Sequence, residues 1–426
     1  MPDGTATAHL YQPKLITVVR EGYGLDRFRK DVTAALTVAI VALPLSMAFA
    51  IASGVTPERG LYTAIIGGFL VSALSGSRYQ IGGPAGAFIL FVSATVTRFG
   101  LDGLLLTILM SGILLMLVGL SRLGGLIRHI PHAVTVGFTA GIAVVILSSQ
   151  LHDLGGLKLA GAEPGALWPK LVALSGAWRT LNPAALALGL GSAALIFLQR
   201  RFRPAWPGML IAVILASLAA WALDLPVETI GRRFGELPHG LPRPGLPPIT
   251  PALIWTLLPS ALSFTLLGGV ESLLSAKVAD SMTGRKHRSN MELVGQGIAN
   301  IASALFGGIA VTGTIARTAT NIRAGATSPL SGMMHALFVL LFMLVAAPLA
   351  SYVPLAALGG VLLIVCWYMV EKKEFAALLR CWPTALVLLA TFGLTIFRDL
   401  TTAIIAGCVL AALLAAFHRN VAEEGA

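Results

Sequence analysis

Charge is scarce in this chain of 426 residues: Asp, Glu, Lys and Arg make up 12% of it, against 56% hydrophobic residues. A soluble domain carries roughly a quarter charged residues, so this chain cannot clothe itself against water. Disordered chains are apolar-poor and charge-rich, which excludes disorder on the same ground. Cysteine is nearly absent. Cys366, Cys381 and Cys408 form no CxxC pair, so neither a disulfide framework nor a zinc cluster is indicated. No Gly-Lys dipeptide occurs, which removes the Walker A loop and any ATP-driven pump built on it. Without HExxH a zinc intramembrane protease lacks its ligands. Ser111-Gly112 and Ser331-Gly332 lack the G-x-S-x-G setting of a serine hydrolase. No enzyme activity, metal or cofactor is expected.

What is present is apolar sequence in long runs. A membrane span needs about 20 such residues. Fourteen segments can be drawn: 32–53, 58–76, 84–98, 102–121, 131–150, 182–199, 206–223, 252–283, 291–306, 313–325, 328–349, 354–370, 383–397 and 400–418. The third and tenth are unusually short. Strand-like Tyr79-Gln80-Ile81 precedes the third, and an amphipathic stretch near 166–178 precedes the sixth. Backbone polar groups in lipid must be satisfied internally, and no long polar alternation signals a barrel. The segments therefore read as helices of an all-α polytopic membrane protein. The polar first 30 residues carry no cleavage site at a signal-like distance, so a retained cytoplasmic segment is expected.

The net charge of +11 is explained by sidedness, because cytoplasmic loops of membrane proteins are rich in Lys and Arg. With fourteen crossings both ends share one side. Twenty of the 30 basic residues then fall on the terminal side and nine opposite, with Arg317 inside a segment. The tally places both termini in the cytoplasm of a bacterial inner membrane, and nucleic acid is not an expected partner.

The two halves echo each other across the Pro/Gly-rich loop 224–250. Segment three opens on Gly82-Gly83-Pro84-Ala85-Gly86-Ala87, and segment ten on Gly307-Gly308 through Gly313-Thr314. Two segments later each half places a proline at a helix start, in Ile130-Pro131-His132-Ala133 and Val353-Pro354-Leu355-Ala356. Seven segments per half is odd, so the second half enters from the opposite side. Paired short Gly/Pro-interrupted segments in an inverted repeat point to a transporter's binding site. Each broken helix start exposes N–H groups and about half a positive charge. Two such starts aimed at one another make an anion site. Gly83, Gly86, Gly308 and Gly313 allow close approach; close helix packing alone is the plainer explanation of such glycines.

Intramembrane ionisable residues are functional candidates by default. Glu271 lies mid-segment in Gly268-Gly269-Val270-Glu271-Ser272. Arg317 lies early in segment ten, where Thr314, Arg317, Thr318 and Asn321 share a helical face. Glu271 suits an anion site if a proton or cation neutralises it as the anion binds, which would couple the two. The alternatives are a Glu271–Arg317 ion pair, or a glutamate held by backbone N–H groups. Lys277 and Asp280 are expected to pair or solvate at the cytoplasmic end of segment eight. His129 and His132 read as interfacial, and His335 as a hydrogen-bonded core histidine. Phe49, Trp206, Trp221 and Trp382 read as packing or interface anchors.

From Asp31 to His418 the chain resembles the SulP anion-transporter family, solute carrier family 26. The resemblance rests on Ala42-Leu43-Pro44 through Phe49-Ala50, Gly60-Leu61-Tyr62, Gly83-Pro84, Gly137-Phe138-Thr139-Ala140-Gly141 and Ala316-Arg317-Thr318. It implies a seven-plus-seven inverted repeat. A core domain (31–124 and 251–349) would move as an elevator against a gate domain (125–223 and 350–418). It also implies that Phe49, Ala85, Gly86, Ala316 and Arg317 line the anion site, with Glu271 at the acidic position tied to proton or cation coupling. Leu45 stands where the family commonly has Gln, and Ala316 where many members have Ser. Only 419–426 follow His418, where a STAS domain is usual, so a chain without that domain is expected.

The expected function is secondary active symport of a small anion (sulfate, bicarbonate or dicarboxylate) with protons. Its site residues are Phe49, Ala85, Gly86, Ala87, Thr314, Ala316, Arg317 and Thr318, with Glu271 for coupling. The alternatives are an uncoupled exchanger, a channel, or sodium-coupled symport on the same fold, with a receptor or scaffold as a third class. The partners expected are the anion, a proton or Na+, the lipid bilayer and, in one possible assembly, a second copy.

Overall fold

The computed structural model describes residues 11–127, 131–159, 161, 164, 167–203, 206–398 and 400–424. His129, Ile130 and the first ten residues of the polar N-terminal segment lie outside them. Among the described residues the chain is helical, with fourteen membrane segments in an inverted repeat. The first repeat contains α2 (Leu25–Ala52), then α3 (Pro57–Tyr62) continued through a π-turn into α4 (Gly68–Leu74). A two-residue strand β1 (Gly82–Gly83) leads through a 3-10 turn, Gly86–Phe88, into α5 (Ile89–Leu120). Gly100 at φ 69 splits α5 into a short third segment and a full fourth. After α6 (Gly124–Ile127) come α7 (His132–Gly155), α8 (Leu167–Gly176), α9 (Pro183–Phe202) and α10 (Gly208–Ala222).

The loop 224–250 contains a short helix, α11 (Ile230–Phe234), which its Pro/Gly content hides in the sequence. The second repeat runs α12 (Pro251–Thr283), α13 (Ser289–Leu305), strand β2 (Thr312–Gly313), α14 (Ile315–Arg323) and α15 (Leu330–Ala350). It ends with α16 (Leu355–Met369), α17 (Lys372–Leu378), α18 (Trp382–Phe397) and α19 (Leu400–Glu424). Helix starts follow local chemistry. Asn182 accepts from Ala184 N–H at 3.0 Å and Thr250 from Leu253 N–H at 3.3 Å, each followed by proline in the first turn.

The nine residues of α14 rise only about 14 Å, half of a bilayer core of about 30 Å. The segment must stop in mid-membrane, and a strand completes its approach. β1 and β2 pair antiparallel, Gly82 opposite Gly313 and Gly83 opposite Thr312. Two chains entering from opposite faces run antiparallel where they meet, as the inverted repeat requires.

Small residues set the helix contacts, as expected in lipid. Gly112 of α5 and Gly297 of α13 pack backbone to backbone, and a Cβ on either would strike the other's carbonyl. Gly137 and Gly141 of α7 face α18 in the same way, so that stretch of the family resemblance is a packing seam. Outward faces are apolar: Trp255, Val345 and Phe397 are among the exposed large side chains, and Trp206, Trp221 and Trp382 also point outward.

A short amphipathic helix, α1 (Lys14–Arg20), was not legible in the polar N-terminal segment. It is clasped to the end of the membrane helices. Lys14 N–H donates to Ser75 O at 3.1 Å, Tyr11 to Leu120 O at 2.8 Å, and Arg288 to Gln12 O at 2.5 Å. Glu21 pairs with Arg78, whose hydrogen bonds hold the Glu21 carboxyl below its usual range. A depressed carboxylate contributes stability above its ordinary pKa and loses it as pH falls, so this clasp weakens in acid. Asp31, wholly buried at the start of α2, accepts from Tyr23 at 2.7 Å, from Thr327 N–H at 2.5 Å and from Ser328. It ties the first helix to the turn before α15.

Overpacking a close seam costs about 1–3 kcal/mol or more. Gly297→Ala is expected to lower the detergent melting temperature clearly. Gly191→Ala, on α9 with open space around it, should leave it unchanged or slightly raised. Equal melting of the two variants would refute the α5–α13 seam.

Candidate functional site

The strand crossing is held from every side by buried polar groups. Thr63 in the π-turn accepts from Ile309 N–H at 2.7 Å. Asn300 of α13 both donates to Val311 O at 2.9 Å and accepts from Val311 N–H at 3.1 Å. On the other strand Asn321 donates to Tyr79 O at 3.0 Å, and Thr314 N–H donates to Ile81 O at 3.1 Å. Tyr79-Gln80-Ile81, read as strand-like, forms the bonded approach to the strand itself, which begins at Gly82.

At either end of this crossing a broken segment begins. Ala85 is extended and starts the 3-10 turn without a side-chain cap, and Thr314 starts α14 likewise. Among the described residues the N–H groups of Ala85, Gly86 and Ala87, and of Ile315, Ala316 and Arg317, have no recorded partner. These are the orphan donors that a helix start presents to an anion. The Phe49 ring closes over Gly86: a Cβ there would lie 3.4 Å from Phe49 and 3.6 Å from Ile146 of α7.

The shared face of α14 is real, and it is turned inward. Thr314, Arg317, Thr318 and Asn321 are buried, while Ala316 is exposed. Thr318 is occupied, accepting from Ile81 N–H and meeting the Ser275 hydroxyl, both at 3.2 Å. Arg317 lies across Gly83, where any Cβ would collide with Nη1. Its Nη2 donates to the Ser46 hydroxyl at 3.1 Å, whereas Nε and Nη1 are buried without a partner. A buried guanidinium with two idle nitrogens is costly unless something anionic completes it.

Glu271 sits on α12, partly buried, one residue from Ser272. Among the described residues neither alternative reading of it is realised: no ion pair joins it to Arg317, and no hydrogen bond to backbone is recorded. Gly268, one turn earlier, is beside Phe88 and accepts from the Thr312 hydroxyl at 3.4 Å. Glu271 thus shares a helix wall with the crossing.

These features can be set against known proteins. The sequence model described as the sulfate permease family matches residues 28–392. The chain belongs to the sulfate permease family. The putative sulfate transporter YvdB of Bacillus subtilis is 44% identical over 406 residues, 95% of this chain and 76% of that protein. The bicarbonate transporter BicA of Picosynechococcus sp. is 32% identical over 403 residues, 91% of this chain and 70% of that one. Among solved structures, the transmembrane domain of a cyanobacterium bicarbonate transporter BicA matches with TM-score 0.79 at 29% identity, covering 92% of this chain and 98% of that one. Murine Slc26a9 matches with TM-score 0.88 at 18% identity over 98% of this chain and 73% of that one, a likeness of fold.

Other residues of this family member meet the expectation only in part. His335 is buried as expected, but among the described residues neither ring nitrogen has a partner. Asp280 pairs with His287 at 2.6 Å rather than with Lys277, which is exposed. His132 lies 3.5 Å from Glu374, both largely exposed, as an interfacial pair. The sequence reading passed over Glu292, wholly buried on α13. A stripe was there to find: Glu292, Gln296, Asn300 and Ser303 recur at helical spacing in an otherwise apolar segment.

Gly83→Ala should push Arg317 from its seat. The rise in melting temperature on adding a transported anion is then expected to shrink, with affinity falling roughly tenfold or more. Gly393→Ala, with open space around it, is the control. An undiminished rise in Gly83→Ala would separate Arg317 from anion binding.

Proposed function

We propose that this protein is a secondary active transporter that moves a small anion with protons. The observation that carries the reading is Arg317: a buried guanidinium with two unpartnered nitrogens beside two uncapped helix starts. Backbone N–H groups and one full positive charge recognise an oxyanion without needing a particular side-chain set. Phe49, Ala85, Gly86 and Ala87 form one wall; the Arg317 guanidinium and the backbone of the α14 start at Thr314 and Ala316 form the other, braced from behind by Thr318. Relatives named as sulfate and bicarbonate transporters support anion transport. The substrate class is sulfate, bicarbonate or a small dicarboxylate.

Glu271 is the coupling group. Its charge opposes anion binding, and a proton removes that opposition, so each ligand raises the affinity for the other. Its lack of a fixed partner supports this role, since a carboxylate locked in an ion pair would not exchange protons freely. The core domain, 31–124 with 251–349, carries the site past the gate domain, 125–223 with 350–418, and the loop 224–250 joins the repeats. The contact of Ile146 with the Gly86 turn fits a site at that seam. Both termini face the cytoplasm of a bacterial inner membrane, in keeping with the distribution of basic residues.

Uptake into proteoliposomes tests this directly, with sulfate, bicarbonate and small dicarboxylates offered under a proton gradient, a sodium gradient or neither. The expected result is accumulation of at least one anion only under an inward proton gradient. Glu271→Gln should lose that accumulation while keeping anion exchange. Response to sodium alone would replace the proton as coupling ion, and indifference to both gradients would leave an uncoupled exchanger or channel.

A further inference from the structure

Glu292 is fully buried on α13, and its surroundings supply too few donors for a carboxylate. Its Oε1 meets one group, the Ser272 hydroxyl at 3.2 Å, and Oε2 is buried with no hydrogen-bond partner. Ser75 and Ser77 are its polar neighbours, but their close hydrogen bonds run to each other, Ser77 N–H to Ser75 Oγ at 2.9 Å and Ser75 Oγ to Ser77 O at 3.2 Å.

The count turns on Ser272, whose hydroxyl owns a single hydrogen. Three groups surround its oxygen. Gln80 Nε2 donates to it at 2.7 Å, and the same nitrogen donates to Ser272 O at 3.2 Å, which fixes the orientation of that amide. Gln296 Oε1 lies 2.8 Å away and can only accept. Its orientation is fixed in turn by Nε2 donating to Val311 O at 2.7 Å. The one hydrogen of Ser272 therefore goes to Gln296. None remains for Glu292, so the 3.2 Å contact is a hydrogen bond only if Glu292 supplies the hydrogen.

We propose that Glu292 is held as a neutral carboxylic acid, and that its proton anchors the hydrogen-bond chain that positions the strand crossing. The chain runs from the Glu292 O–H to Ser272, from Ser272 to Gln296, and from Gln296 to Val311 at the entry to β2. Gln80, joined to Ser272, lies over Gly313 on the strand's other side. Glu292 is a positioning residue that acts through Ser272, the neighbour of Glu271.

The charged and titratable groups around it are already committed. In the turn before α13, His287 pairs with Asp280, and Arg288 is bonded to Gln12 and Thr17. Arg78, next to Ser77, pairs with Glu21. On α12 the facing helix brings Glu271, a like charge when ionised. α4 carries no ionisable residue, and on α5 the charged residues are Arg98 and Asp102, near the opposite end from where α13 begins. No fixed cation within ion-pair distance of Glu292 is recorded among the described residues.

Infrared difference spectroscopy of the purified full chain at neutral pH tests this independently of transport. The carbonyl stretch of a protonated carboxylic acid should be present in the wild type, lost in Glu292→Gln and retained in Glu271→Gln. A Glu292→Gln spectrum with that band unchanged would overturn the proposal, because Glu292 would then be ionised. Uptake supplies the second readout. Glu292→Ala is expected to lose about tenfold, the cost of one missing buried donor, and Glu292→Gln, which keeps a donor, should restore most of it. If Gln restores nothing although the protein melts as wild type, the proton has another task and the positioning role fails.

Discussion

The two-residue antiparallel pairing of β1 with β2 is the constraint from which the rest of this structure follows. Two half-length segments stop in mid-membrane, where bare strand edges would be ruinously unsatisfied. Each satisfies the other, Gly82 against Gly313 and Gly83 against Thr312. The pairing fixes where the broken segments begin, and so where their uncapped N–H groups collect. It also requires glycine at Gly83, because the Arg317 guanidinium occupies the place of a side chain.

A pairing so short cannot stand alone, and the buried polar side chains around it explain how it persists. Thr63, Asn300 and Asn321 hold the strand approaches, while Ser272, Gln80 and Gln296 link both strands to α12 and α13. A fully bonded polar network specifies one arrangement, and a partly bonded one is costly. Against that background the few idle groups stand out. Among the described residues Arg317 keeps two nitrogens without a partner, and Glu271 has no fixed one. A rigid scaffold that holds such groups beside the crossing is suited to receive an ion.

Much of the fold was legible in the sequence because lipid is a strict solvent. Apolar runs marked the spans, and the matching Gly-rich entries marked the inverted repeat. Gly83, Arg317 and Glu271 stood out as exceptions to those patterns. The face shared by Thr314, Arg317, Thr318 and Asn321 was readable, but its direction was not: periodicity says which residues lie together, never what they meet. Thus Thr318 and Asn321 serve the crossing, and exposed Ala316 lies on the other face. α1 was hidden because seven residues with basic ends read as a tail until Ser75, Arg78 and Arg288 receive them. Glu292 escaped because it lies near a segment end, where a carboxylate is usually solvated. Its surroundings come from Ser75, Ser77 and Ser272, all distant in sequence.

The central claim is that an anion is bound between the two broken helix starts. Its most direct measurement is the anomalous scattering of selenate in crystals of this protein, as a heavy stand-in for a small oxyanion. The account predicts one strong peak within hydrogen-bond reach of the Gly86 and Ala316 N–H groups and of the Arg317 guanidinium, lost in Arg317→Ala. A peak elsewhere in the membrane region, with none at the crossing, would contradict it.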